Sequence, residues 1–181
     1  MVGKTLKLQI KREESLTLHL LLTAPKALRE EERKRIFLLP GDVQVSRQAC
    51  ELTTILGSCV AVCLWDERLN TGGMNHFLLP QCTNRTGNSM RFGNLAIQRL
   101  LQELLESGCL RRNLRAKIFG GAALFRNGSN YELSLGAKNV ALAESMLNNA
   151  RIPIMARDTG GQLGRKIKFN TDDGTTWVKQ I

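Results

Sequence analysis

The sequence predicts a layered α/β domain built on mixed sheets. Short apolar or alternating runs of strand length recur along most of the chain. Two longer stretches carry apolar residues at helical spacing. Strands and helices also follow one another without the strict alternation that a doubly wound parallel sheet requires. At 181 residues, 43% of them hydrophobic, the chain can bury a substantial core.

Residues 1–36 read as an N-terminal extension, in which Lys4–Leu22 mixes charge with leucines and Pro25–Arg35 is a charged helical connector. The turn signal Leu39-Pro40-Gly41-Asp42 opens the main domain, residues 37–181. Val43–Ser46 alternates as a strand, and Cys50–Ile55 is a second strand leading into the turn Gly57-Ser58-Cys59. Val60–Leu64 is apolar on both faces, as in a strand buried between layers. Gly72-Gly73 turns the chain into a strand over Met74–Leu79, closed by Pro80, in which His76 shares a face with Met74 and Leu78. After a polar loop, Phe92, Leu95, Ala96, Leu100, Leu104 and Leu105 mark an amphipathic helix from Met90 to Glu106 that Gly108 ends. Ala116–Phe119 is a strand and Gly136–Asn149 a second helix. Ile152–Ala156, Lys166–Phe169 and Thr176–Lys179 are the last strands.

Composition narrows the function classes. No apolar run is long enough to span a bilayer, and the N-terminus lacks the pattern of a signal peptide. An odd count of five cysteines at irregular spacing indicates reduced thiols in a cytoplasmic protein. The net charge of +10 suits an acidic partner. No basic run is interleaved with base-stacking aromatics, so an acidic protein is expected and nucleic acid is not. Arg111, Arg112, Arg115 and Lys117 form one acid-free cluster that would speed such an encounter.

Several motifs dissolve on inspection. Val2-Gly3-Lys4-Thr5 lacks the earlier glycine and preceding strand of a phosphate loop. Gly120-Gly121 and Gly160–Gly164 lack dinucleotide-binding spacing and read as turn-forming or close-packed glycines. Cys59, Cys63, Cys82 and His76 do not make the paired spacing of structural zinc, so neither a metal nor a cofactor is expected. Cys50, Cys63 and Cys109 fit small buried hydrophobes.

Cys59 differs from them. It follows Gly57-Ser58 in a small-residue turn, and one of only two histidines, His76, stands on the next strand. A glycine there lets the backbone turn and leaves amide groups free to face an oxyanion, and an electropositive turn lowers a thiol pKa. Thiol, hydroxyl and imidazole group as nucleophile, orienter and base for acyl transfer. Spacing alone does not separate that pair from two packed core residues.

Thr53–Val62, Asp66, Gly73–Pro80, Lys117–Ala122, Leu135-Gly136 with Asn139, and Asp158–Gly161 with Gly164-Arg165-Lys166 and Phe169 together resemble the chemoreceptor glutamine deamidase family, CheD. The resemblance runs from about Leu39 to the C-terminus. It implies an α/β/β/α sandwich of two mixed sheets between helices, similar to the catalytic domain of cytotoxic necrotizing factor toxins. It also implies a cysteine, histidine and threonine at Cys59, His76 and Thr53, with Thr54 the neighbouring alternative; the residue types of the turn add an expected oxyanion site at Gly57 and Ser58. The implied activity is deamidation of glutamines on the cytoplasmic helices of methyl-accepting chemotaxis receptors, with hydrolysis of glutamate methyl esters at the same site. A non-catalytic protein docking a receptor or a CheC-type phosphatase is the alternative. The extension and Lys138, where an arginine is common, depart from the family pattern.

Overall fold

A computed structural model of the chain describes residues 33–82, 89–123 and 134–181, and its strands sort into two sheets. The four-stranded sheet has the order β1 (Lys34–Phe37), β3 (Cys50–Leu56), β8 (Arg165–Asn170), β9 (Thr176–Gln180). The five-stranded sheet has the order β2 (Val43–Ser46), β5 (Thr71–Asn75), β4 (Val60–Asp66), β6 (Arg115–Gly120), β7 (Ile154–Thr159). β1 runs parallel to β3 and β6 parallel to β7, and the other pairs are antiparallel, so both sheets are mixed as expected.

β4 is buried along its whole length. Its alternation explains why: Val60, Val62 and Leu64 join a core under the helices, while Ala61, Cys63 and Trp65 join a second core between the sheets. The helices are α1 (Gly93–Glu106) and α2 (Leu135–Asn149). Ala96, Ile97, Leu100 and Leu104 of α1 and Ala143 and Leu147 of α2 supply the helical side of the first core. Phe77 lies fully buried in that core and Phe169 in the other. Each such side chain stabilises the fold by about 1.5–3 kcal/mol relative to an exposed one. Among the described residues both helices pack on the five-stranded sheet, and the outer face of the four-stranded sheet carries none. No helix among the described residues is long and apolar enough to cross a membrane.

Several expected boundaries move. Lys34 and Arg35 belong to a strand instead of a helical connector, and the rest of Pro25–Arg35 up to residue 32 lies outside the described residues, as does Lys4–Leu22. A compact unit spans Lys34–Ile181 and includes all of β1. Gly72-Gly73 is no turn. Both glycines lie inside β5, where a Cβ on Gly72 would meet the Thr171 carbonyl and one on Gly73 the side chains of Val45 and Leu100. Close approach of both neighbouring layers, and not a bend, requires glycine there. β5 accordingly ends at Asn75, and His76 is the first residue beyond it. The first helix starts at Gly93, because Met90 and Arg91 form a turn ahead of it.

Candidate active site

Cys59 sits between β3 and β4, at the end of the turn Gly57-Ser58-Cys59. Just beyond it, Val60 and Phe77 exchange both backbone hydrogen bonds at 3.0 Å. This bridge extends the β4–β5 register, in which Cys63 faces Met74. Counting along it places His76 opposite Ala61 and makes Cys59 its diagonal neighbour on the same face. Diagonal positions lie about 7–8 Å apart, a gap that long or aromatic side chains bridge. That face is the one turned to the four-stranded sheet, since Cys59 packs against the inter-sheet core.

The backbone around Cys59 is fixed on its carbonyl side. Gly121 N–H donates to the Cys59 carbonyl and Ala122 N–H to that of Gly57, each at 2.8 Å, and Asn139 Nδ2 donates to that of Ser58 at 3.1 Å. With three successive carbonyls engaged, the N–H groups of Ser58 and Cys59 donate to no backbone or side-chain acceptor of another described residue. Gly120 has φ +107°, and a Cβ on it would collide with the Cys59 carbonyl, so only glycine fits beside the turn. The buried Arg165 holds this region from the next sheet. Its guanidinium donates to the carbonyls of Gly120 at 2.6 Å and Gly160 at 2.8 Å, and pairs with Asp158 at 3.3 Å.

His76 is clamped by the turn that opens the domain. Its N–H donates to the Asp42 carbonyl at 3.0 Å, and its carbonyl accepts from Gly41 N–H at 2.7 Å. The Asp42 carboxylate closes the turn by accepting from Leu39 N–H at 2.7 Å. The imidazole is buried, with Nδ1 2.9 Å from the hydroxyl of Thr54. Thr54 Oγ1 also donates to the Leu38 carbonyl at 2.8 Å. A hydroxyl has one proton to give, so towards His76 it accepts, and Nδ1 carries the hydrogen. The lone pair is thereby placed on Nε2, which is buried and has no hydrogen-bond partner among the described residues.

The threonine hydrogen-bonded to His76 is therefore Thr54, the neighbouring alternative to Thr53. Side chains alternate along β3, and Cys50, Leu52 and Leu56 face the inter-sheet core, which puts Thr54 with them. Thr53 falls on the opposite face with Glu51 and the exposed Ile55. The signal was present in the alternating order Cys50-Glu51-Leu52-Thr53-Thr54-Ile55-Leu56.

Burial sets the charge state of both groups. Burial pushes the Cys59 thiol above its ordinary value, and its own N–H pulls the other way as the smaller effect. Burial pushes His76 below the usual imidazole value, opposed first by the Leu38 carbonyl and then by the Asp42 carboxylate. Both shifts favour a neutral thiol beside a neutral imidazole over a standing ion pair. The turn's own N–H lowers the thiol as expected, and burial outweighs it. Cys50, Cys63 and Cys109 are buried with raised thiol values, as core cysteines should be. Among the described residues no cluster of ligating side chains suits a metal ion.

The basic cluster loses Lys117 to the interior. Arg111 and Arg112 are exposed, but Arg115 donates to the Arg112 and Leu114 carbonyls. Lys117 turns inward, donating to the Gly174 carbonyl at 2.6 Å with its ammonium 5.1 Å from the Trp65 ring centroid. The exposed arginines precede β6, while Cys59 neighbours the other end of that strand, where Val60 pairs with Gly120.

Comparison with known proteins places this architecture. A family model described as CheD chemotactic sensory transduction matches residues 78–180. A probable chemoreceptor glutamine deamidase CheD from Anaeromyxobacter dehalogenans is 45% identical over 152 residues, covering 82% of this chain and 86% of the relative. The chain belongs to the CheD family. A second CheD relative bearing the same description, from Trichlorobacter lovleyi, is 45% identical over 141 residues, 78% of this chain and 87% of its own. A third, from Sulfurimonas denitrificans, is 37% identical over 150 residues, 83% and 96% of the two chains. The match to the CheD family model begins just after His76. A solved structure of Neisseria meningitidis protein NMB0706 aligns with a TM-score of 0.39 at 10% identity over 75% of this chain and 66% of that one, too distant to inform the fold.

Proposed function

We propose that the protein deamidates glutamine side chains of methyl-accepting chemotaxis receptors, with Cys59 as nucleophile and His76 as base. The observation that carries the reaction class is identity of 45% over most of both chains to relatives named as chemoreceptor glutamine deamidases. What supports the residue roles is the tautomer imposed by Thr54, which leaves a buried basic nitrogen on the face that Cys59 shares.

Nε2 of His76 takes the Cys59 thiol proton as sulfur bonds to the side-chain carbonyl carbon of the glutamine, and the carbonyl π pair moves to oxygen. The N–H groups of Ser58 and Cys59 face that oxyanion, a refinement of the Gly57–Ser58 site expected from sequence. As the carbonyl re-forms, the C–N bond breaks and the imidazolium returns its proton to the departing ammonia. Water then adds to the thioester, giving a proton to Nε2. The C–S bond breaks, and the thiolate recovers that proton as glutamate leaves. Thr54, in place of Thr53, holds Nδ1–H throughout and supports the imidazolium as a neutral acceptor.

A glutamate methyl ester fits the same sequence with methanol as leaving group, so receptor methylesterase activity follows from one thioester. No step needs a metal or cofactor. The reading extends to a cytoplasmic protein whose domain, from Lys34 onward, is similar to the cytotoxic necrotizing factor catalytic domain, and which docks a CheC-type phosphatase. Incubating the full chain with a receptor cytoplasmic fragment and mapping amide-to-acid conversion by mass spectrometry tests the reaction. Conversion that disappears on alkylating Cys59 is expected. Receptor binding without conversion would leave a docking protein instead.

A further inference from the structure

We propose that Asn139 is a positioning residue for the deamidation, setting the separation between the nucleophile's turn and the base's segment. The inference rests on the Cys59–His76 reading above. The ladder joining β4 to the His76 segment ends at the Val60–Phe77 bridge, and beyond it Cys59 and Leu78 are no longer paired strand to strand. Asn139 continues the connection by other means. Its Nδ2 donates to the Ser58 carbonyl at 3.1 Å and to the Leu78 carbonyl at 2.8 Å. One carbonyl directly precedes Cys59 in the chain, and the other lies two residues after His76.

The helix is built to deliver this amide. Ser134 caps α2, its hydroxyl accepting from Ala137 N–H at 3.1 Å. Gly136 in the first turn lies so near the carbonyls of Gly121 and Ala122 that a Cβ there would collide with them. Gly121 and Ala122 are the residues whose N–H groups hold Cys59 and Gly57. The start of α2 is thus seated on the same backbone that shapes the nucleophile turn, and Asn139 reaches inward with no exposed surface. The orientation of the amide follows from chemistry: the reverse placement would set Oδ1 against two carbonyl oxygens. Oδ1 has no partner among the described residues. A buried amide held with one end unpaired is unfavourable for stability alone, so its two bonds to the site make a role in geometry the better account.

The test compares Asn139→Ala and Asn139→Ser with the wild-type full chain, measuring kcat and KM on a receptor fragment and the rate of Cys59 alkylation against pH. A displacement of about 1 Å at the reacting groups lowers turnover on the order of a hundredfold. Both variants are therefore expected to lose about that much kcat with KM changed little, and to alkylate with a pH profile moved towards that of a His76→Ala protein. The Ser variant keeps one short donor and should unfold cooperatively at a temperature close to wild type if Ala does not. Variants that lower the unfolding temperature while keeping wild-type kcat and alkylation profile would overturn the proposal, because Asn139 would then only stabilise the fold. Failure of the underlying reading looks different: the alkylation profile of the wild type would already match that of His76→Ala.

Discussion

Replacing Thr54 by valine removes a hydroxyl and keeps the shape of the side chain, so it isolates the two hydrogen bonds that the hydroxyl makes. Thr54 has no exposed surface, and its oxygen stands 2.8 Å from the Leu38 carbonyl and 2.9 Å from His76 Nδ1. Without it, the carbonyl and the imidazole N–H lose their partner in a place that water does not readily reach. Each buried group left unpaired costs about 1–3 kcal/mol. The Leu38 carbonyl also lies against His76 and can take part of the loss, so a net destabilisation of about 1–3 kcal/mol is expected. The kinetic effect is larger in kind. With the Leu38 carbonyl as its only remaining partner, Nδ1–H is held less firmly, so the proton moves to Nε2 part of the time and His76 is then unable to accept from Cys59. Positioned general bases contribute on the order of a hundredfold to ten-thousandfold, which bounds the loss in kcat from above.

Three measurements on Thr54→Val and Thr53→Val decide the matter: urea unfolding, receptor deamidation by mass spectrometry, and the nitrogen chemical shifts of the His76 ring. Thr54→Val should be slower by at least about tenfold within that bound and show a mixed tautomer. Thr53→Val should keep wild-type turnover and the Nδ1–H tautomer. Equal damage from both variants, or a slow Thr53→Val beside a normal Thr54→Val, would refute the assignment.

Cys59→Ala and His76→Ala should each abolish conversion with the fold intact, while Cys63→Ala stays active; residual wild-type turnover in Cys59→Ala would remove the nucleophile. The pH profile of kcat/KM should have its acid limb below the ordinary imidazole value near 6.5, because burial lowers His76, and a limb above that value would contradict it. The same shift links to stability: His76 in the fold resists protonation, so its contribution is fully present above about 6.5 and is lost as pH falls through the lower folded value, which pH-dependent urea unfolding reads. Cys59 has the opposite sign, its contribution present below 9.0 and lost as pH rises through the raised folded value. Neutralising Arg111 and Arg112 should flatten the salt dependence of kcat/KM and leave kcat alone, whereas Lys117→Gln should lower stability without changing the salt slope.

Deleting residues 1–33 should leave a folded, active chain, because Lys34–Ile181 holds both sheets and every group assigned a role above. A longer deletion, to residue 38, should fail, and the reason lies in β1. That strand pairs with β3 alongside Thr53, and the next residue, Leu38, donates its N–H to the Thr53 carbonyl at 2.8 Å while its own carbonyl receives Thr54. Activity surviving the longer cut would show that the Leu38 carbonyl is dispensable.

How far the sequence could be read follows from where each element gets its stability. β4 and the two helices were legible because burial fixes their patterns, apolar on both faces for the one and periodic for the others. β1 was not, since Lys34-Arg35-Ile36-Phe37 has no helical or strand periodicity of its own and is held by the ladder to β3. Gly72-Gly73 misled because a glycine pair signals a turn locally, whereas here the constraint comes from Thr171 and Leu100, distant in sequence. The site divides the same way. Cys59 and His76 stand out by residue type and by the motifs around them, and not by spacing alone. Their supports are backbone carbonyls at Leu38, Ser58 and Leu78, which any sequence supplies, so only the partners Thr54 and Asn139 leave a trace in composition. Of those two, Thr54 was recoverable by counting alternate residues along β3. Asn139 required knowing that α2 lands on the Cys59 turn, which is a property of the packed layers and not of any window of the chain.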